Sequence, residues 1–171
     1  LWVGTVDRSG TGAAGLFRVS PDGEVVTVRG GVGLSNGLDW SPDGRTCHYV
    51  DSFARCIQDL HLDDAGDLVG TSVLAEVEAI PDGLTVDAEG GVWVALWDGG
   101  AVHRYLPGGR LDRTVAVPGG FVTSCAFGGD GSTTLYITTA RTELPDEQFR
   151  AQPHAGGLFA ADVGVPGRGY T

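Results

Sequence analysis

The sequence has no methionine, no apolar run near the ~20 residues that cross a bilayer as a helix, and no Cys-x-x-Cys pair. The missing run excludes a helical membrane span. Three scattered cysteines, Cys47, Cys56 and Cys125, leave one over under any pairing, so they read as reduced thiols of a cytoplasmic protein and not as a disulfide framework. Basic side chains are scarce as well: 11 against 22 acidic ones, for a net charge of −11. Such a surface repels phosphate backbones and anionic lipid, which argues against nucleic-acid and membrane-surface partners. Leu1-Trp2-Val3-Gly4 lacks the basic region and apolar core of a secretory leader. It begins directly on a strand pattern without a start residue, and the expectation is a piece of a longer chain.

Glycine is abundant, with 29 in 171 residues against a usual ~7%, and there are 8 prolines. Hydrophobic residues make up 42%. That is a folded chain of short strands and tight turns. Helical periodicity is nearly absent; only Asp146 to Ala151 could make a turn or two.

Self-comparison organises the chain. Leu38 to Asp51 (LDWSPDGRTCHYVD), Leu84 to Trp97 (LTVDAEGGVWVALW) and Cys125 to Thr138 (CAFGGDGSTTLYIT) align without gaps. Each reads strand, turn, strand. Third strands follow at Gly15 to Val19, Cys56 to Leu60, Ala101 to Tyr105 and Gly157 to Ala161. Fourth strands follow at Glu24 to Val28, Thr114 to Val117 and, more weakly, Thr71 to Leu74. Leu1 to Thr5 matches the second strand of the unit with its first strand missing. Four antiparallel strands per ~40–45 residues is the period of a β-propeller blade. The fold expected is all-β: a single partial propeller over residues 1–171, about four blades, with its N-terminal blades lying upstream.

Candidate chemistry follows from repeat phase. First strands of propeller blades line the channel, and at one shared phase sit Asn36, Asp82 and Thr123. Carboxylate and amide oxygens are hard donors suited to Ca²⁺, Mg²⁺ or Mn²⁺, and a carboxylate also serves Zn²⁺. The alternative is that Asn36-Gly37 and Asp82-Gly83 are plain turn dipeptides. The Ser-Pro-Asp-Gly copies at 20–23 and 41–44 are turns. No Gly-x-Ser-x-Gly elbow surrounds Ser124, and no helix follows the glycines at 30–33, which argues against a serine hydrolase and a phosphate loop. The four tryptophans read as packing between blades.

The runs Ser35-Asn36-Gly37-Leu38-Asp39-Trp40-Ser41, Tyr49-Val50-Asp51-Ser52, Pro81-Asp82-Gly83-Leu84 and Gln152-Pro153-His154-Ala155-Gly156-Gly157 resemble the SMP-30/gluconolactonase/regucalcin-like family. The resemblance covers essentially the whole chain. It implies a six-bladed propeller with one divalent metal ion (Ca²⁺, Zn²⁺, Mn²⁺ or Mg²⁺) that opens sugar lactones. It also implies that Asn36 and Asp82 are metal ligands, with Asp82 able to act as the catalytic base. The family's Glu ligand, and the Arg and Asn that hold substrate hydroxyls, would fall upstream of Leu1. Asp7, after Gly4-Thr5-Val6, is the counterpart of a further acid that contacts substrate. A calcium-binding regulator without turnover, another propeller hydrolase and an inactive fragment remain alternatives.

Overall fold

The structure, a computed structural model, describes residues 1–141 and 152–169. The Asp146–Ala151 stretch lies outside these. Fourteen strands form four antiparallel sheets among the described residues. The first sheet holds β1 (Trp2–Gly4), β2 (Ala14–Val19) and β3 (Val25–Val32). The second is β4 (Ser35–Trp40), β5 (Thr46–Asp51), β6 (Cys56–Leu62) and β7 (Leu68–Glu76), paired in chain order. The third repeats that order with β8 (Pro81–Val86), β9 (Val92–Leu96), β10 (Ala101–Tyr105) and β11 (Leu111–Ala116). The fourth contains β12 (Val122–Gly128), β13 (Thr134–Thr139) and β14 (Leu158–Asp162).

The strands and their phase match the repeat reading, down to the first sheet opening on what is a second strand elsewhere. The turns follow sequence too. Gly23 and Gly44 close their Ser-Pro-Asp-Gly turns at positive φ, each N–H donating to the carbonyl of Ser20 or Ser41.

Side-chain alternation explains why the sheets stack face to face. In β9, Val92, Val94 and Leu96 feed the core between the second and third sheets. Trp93 and Ala95, on the other face, feed the core between the third and fourth. β5 divides likewise, Val50 to one side and Cys47 and Tyr49 toward the first sheet. A strand buried on both faces needs a continuous apolar run, which is what Val92–Leu96 supplies. All three cysteines are buried and unpaired; burial pushes the Cys47 and Cys125 thiols up to about 12.

The leading strands β4, β8 and β12 pack side by side. Among the described residues no helix is long and apolar enough to cross a membrane.

Candidate active site

Each leading strand breaks register at the same phase: between Ser35 and Leu38 in β4, Pro81 and Leu84 in β8, and Val122 and Ser124 in β12. These irregularities fall on Asn36-Gly37, Asp82-Gly83 and Thr123. A bulge re-aims a side chain that a regular pleat would direct elsewhere. The turn alternative for Asn36-Gly37 and Asp82-Gly83 is thereby overturned, since both dipeptides lie inside strands. Their glycines answer to close approach, not to turn geometry. A Cβ on Gly37 would stand 2.7 Å from the Asp82 carbonyl oxygen, and one on Gly83 would stand 2.7 Å from Ser124 Cβ.

Asn36 and Asp82 meet. The Asn36 amide hydrogen-bonds the Asp82 carboxyl, and its Nδ2 also donates to Ser52 Oγ at 3.0 Å. Ser52 is buried, and its hydroxyl donates to the Pro81 carbonyl at 2.7 Å. These residues line a cavity of about 330 Å³ whose other walls are Leu34, Phe53, Ile80 and Trp97. Trp97 stacks on Phe121 with ring centroids 4.7 Å apart. The packing role expected of this tryptophan is therefore joined by a place in the cavity wall. Burial pushes the Asp82 carboxyl up to about 6, against the pull of the Asn36 and Gly83 hydrogen bonds. No described arginine or histidine is ion-paired to it.

Thr123 holds the same phase in β12, but its hydroxyl pairs with Thr138 Oγ1 at 2.7 Å, and it does not line this cavity. Asp7 is placed differently again. Its carboxylate accepts from Ser9 N (2.8 Å), the Ser9 hydroxyl, Thr11 Oγ1 (2.9 Å) and Ala13 N (3.0 Å). The Ser9 hydroxyl and the Ala13 N–H hold it well below the usual carboxylate range. Asp7 thus organises its own loop. That loop is docked to the cavity wall, because Val6 bridges Leu34 and Asp7 N donates to Gly33 O at 3.0 Å.

The donor set fits part of a hard-cation site. A neutral amide and one carboxylate converge in a cavity, and the carboxylate carries a desolvation penalty that a cation would relieve. Among the described residues no group of three or more His, Cys, Asp or Glu side chains could hold a metal ion.

Ser52 was not singled out from sequence as a site residue, nor were the apolar walls. The available signal was the Tyr-Val-Asp-Ser run that ends β5 directly opposite Ser35.

Residues 1–141 match the family described as the SMP-30/gluconolactonase/LRE-like region. The chain belongs to this family. It is 36% identical over 173 residues to YvrE of Bacillus subtilis, a protein provisionally named a sugar lactone lactonase; the match takes in 98% of this chain and 59% of that one. Zebrafish (Danio rerio) regucalcin is 40% identical over 168 residues, 92% of this chain and 57% of the relative. Among solved structures, the calcium-binding protein regucalcin of Agrobacterium tumefaciens superposes with a TM-score of 0.88 at 32% identity. It covers 99% of this chain and 58% of that one. The gluconolactonase XC5397 of Xanthomonas campestris gives a TM-score of 0.64 at 27% identity, over 74% of this chain and 41% of that one. The chain thus spans a little over half the length of the curated relatives it matches.

Proposed function

We propose that these residues contribute Asn36 and Asp82 to a divalent-cation site of a β-propeller that hydrolyses a sugar lactone to the aldonic acid. The four sheets are read as blades of a ring that upstream sequence completes. The observation that carries the proposal is Asp82: a carboxylate half-buried beside Asn36, without an arginine partner among the described residues, in a cavity of small-molecule size. The names of the lactonase and gluconolactonase relatives support the reaction class.

When bound, a divalent cation supplies Lewis-acid polarisation of the lactone carbonyl and acidifies water. The chain's own residues do the rest. Asn36 contributes a neutral oxygen, which leaves the ion's charge undamped. Asp82 is placed to take the proton of the attacking water and to return it to the ring oxygen as the acyl–oxygen bond breaks, which opens the lactone to the aldonic acid. Trp97, Ile80 and Leu34 exclude bulk water from that side, which strengthens electrostatics at the reacting carbonyl. Asp7, expected from the resemblance to contact substrate, instead braces the cavity wall from outside, its loop holding Leu34 in place.

The test uses the full-length protein. Chelation should abolish hydrolysis of an aldono-lactone, with Ca²⁺, Mn²⁺, Mg²⁺ or Zn²⁺ restoring it. Full turnover after exhaustive chelation removes the metal from the reaction. The isolated 171-residue chain should be inactive, because its cavity lacks the walls that upstream residues would add. A second reading, a calcium-binding regulator, draws on the named calcium-binding relative. Metal binding without turnover of any lactone would favour it.

A further inference from the structure

We propose that Ser52 is a positioning residue that decides which end of the Asn36 amide is presented to the cation. The inference rests on the cation-site reading above. It starts from donor arithmetic. The Pro81 carbonyl oxygen, 2.7 Å from Ser52 Oγ, can only accept, so the single Ser52 hydroxyl proton is committed to it. Ser52 Oγ then has only lone pairs left for its second neighbour, 3.0 Å away on Asn36. A lone pair facing the amide oxygen would be repulsive. An N–H facing it is a hydrogen bond. The amide is therefore locked with Nδ2 toward Ser52 and Oδ1 away from it, an orientation fixed by the network around it. Oδ1 is the hard donor a divalent cation needs, and Nδ2 cannot serve.

The relay does more than orient one amide. It runs from Asn36 in β4, through Ser52 at the end of β5, to Pro81 in β8, the residue before Asp82. One buried hydroxyl thus touches one candidate ligand directly and holds the backbone of the other, across two sheets. Ser52 is itself held rigidly. Its N–H donates to Leu34 O at 3.0 Å. The adjacent Asp51 carboxylate accepts from Gly33 N (3.3 Å), Leu34 N (3.2 Å) and Phe53 N (3.2 Å). At 1% exposure, the residue is shielded from bulk solvent. The nearest general parallel is the partner that fixes a metal-ligating histidine's ring, whose loss costs about 10–100-fold in metal affinity.

A mere pin between sheets would make the same contacts, so the test must isolate the amide. Mn²⁺ affinity is titrated calorimetrically in the full-length protein for wild type, Ser52→Ala, Asn36→Asp and the double variant. Ser52→Ala should weaken Mn²⁺ binding by about 10-fold or more. In Asn36→Asp the side chain has no N–H to orient, so adding Ser52→Ala should change affinity less than about 3-fold. Equal losses in both backgrounds, or no loss in the Asn36 background, would overturn the positioning role while leaving the cation site intact. A wild type that binds no Mn²⁺ would overturn both the site reading and this inference. If Ser52→Ala fails to fold, the metal-free wild type still decides. The Asn36 side-chain NH₂, assigned by its disappearance in Asn36→Asp, should show the proton facing Ser52 exchanging markedly more slowly than that of a free asparagine amide. Exchange of that proton as fast as in a free asparagine amide would overturn the lock.

Discussion

The two ends of the leading strands treat their carboxylates in opposite ways. At one end, Asp87 is fully buried and accepts from Trp93 Nε1 (2.8 Å), Gly91 N (2.8 Å) and Arg104 Nε (2.7 Å). Arg104 also reaches Glu89 and Asp112, each at 2.8 Å. Burial alone would lower the Arg104 pKa, but its three carboxylate partners raise it. Nearby, Asp39 receives Arg168 through Nε (3.0 Å) and Nη2 (2.7 Å) and the Val86 amide at 2.9 Å. The C-terminal segment that carries Arg168 is tied down by Ala88 N donating to Pro166 O at 2.9 Å. At the other end, Asp82 has an amide neighbour and no paired guanidinium among the described residues. Arg104 ties the strands of one sheet together and Arg168 reaches across to another, whereas the Asp82 charge, on the cation-site proposal, is left for a ligand.

The largest effect expected is at the satisfied end. Arg104→Ala strands the buried Asp87 without its counter-charge and should cost about 3–5 kcal/mol in denaturant unfolding. At the open end the sign should differ. Asp82→Asn should lower lactone kcat by about 10²-fold or more in the full-length protein, while the metal-free melting temperature holds or rises. A melting temperature that falls as it does in Arg104→Ala would erase the contrast between the two ends.

pH sharpens the comparison further. The folded, metal-free protein holds the Asp82 proton more tightly than the unfolded chain does. Its contribution favours folding below the unfolded pKa and is lost as pH rises from about 4 to about 6. Wild type should therefore lose melting temperature relative to Asp82→Asn across that window, and a flat difference would refute the buried-carboxyl account. Asp7 slopes the other way. Its folded pKa is depressed, so its contribution is present above about 4 and is lost as pH falls toward its folded value. The smallest effect is here. Asp7→Asn should speed amide exchange at Ser9 and Ala13, the two backbone donors, and leave the cores protected. Unchanged exchange there would show that the carboxylate does not hold the loop.

Most of the architecture was legible because strand periodicity and turn chemistry are local. The Val-Trp-Val-Ala-Leu run of β9, the turn glycines Gly23 and Gly44, and the repeat spacing each report a conformation that neighbouring residues dictate. Phase singled out Asn36, Asp82 and Thr123, of which the first two line one cavity and Thr123 turns to Thr138 instead; Asn36 is the one asparagine in the chain. What phase could not say was whether Asn-Gly and Asp-Gly were turns or strand bulges. Both conformations suit those dipeptides, and the choice depends on how close the next sheet comes.

By itself, then, the sequence determined the four strand groups, their order, the family and a set of three residues at one phase. Tertiary structure alone decided the rest. It set the distance between adjacent leading strands, which makes Gly37 and Gly83 obligatory. It sent Asp7 into its own loop instead of the cavity. It also placed Ser52 between Asn36 and Pro81, residues 16 and 29 positions away. The physical reason is range. Dihedral preferences and periodicity act over a few residues, whereas a hydrogen bond between sheets exists only once their packed cores have fixed where each backbone lies.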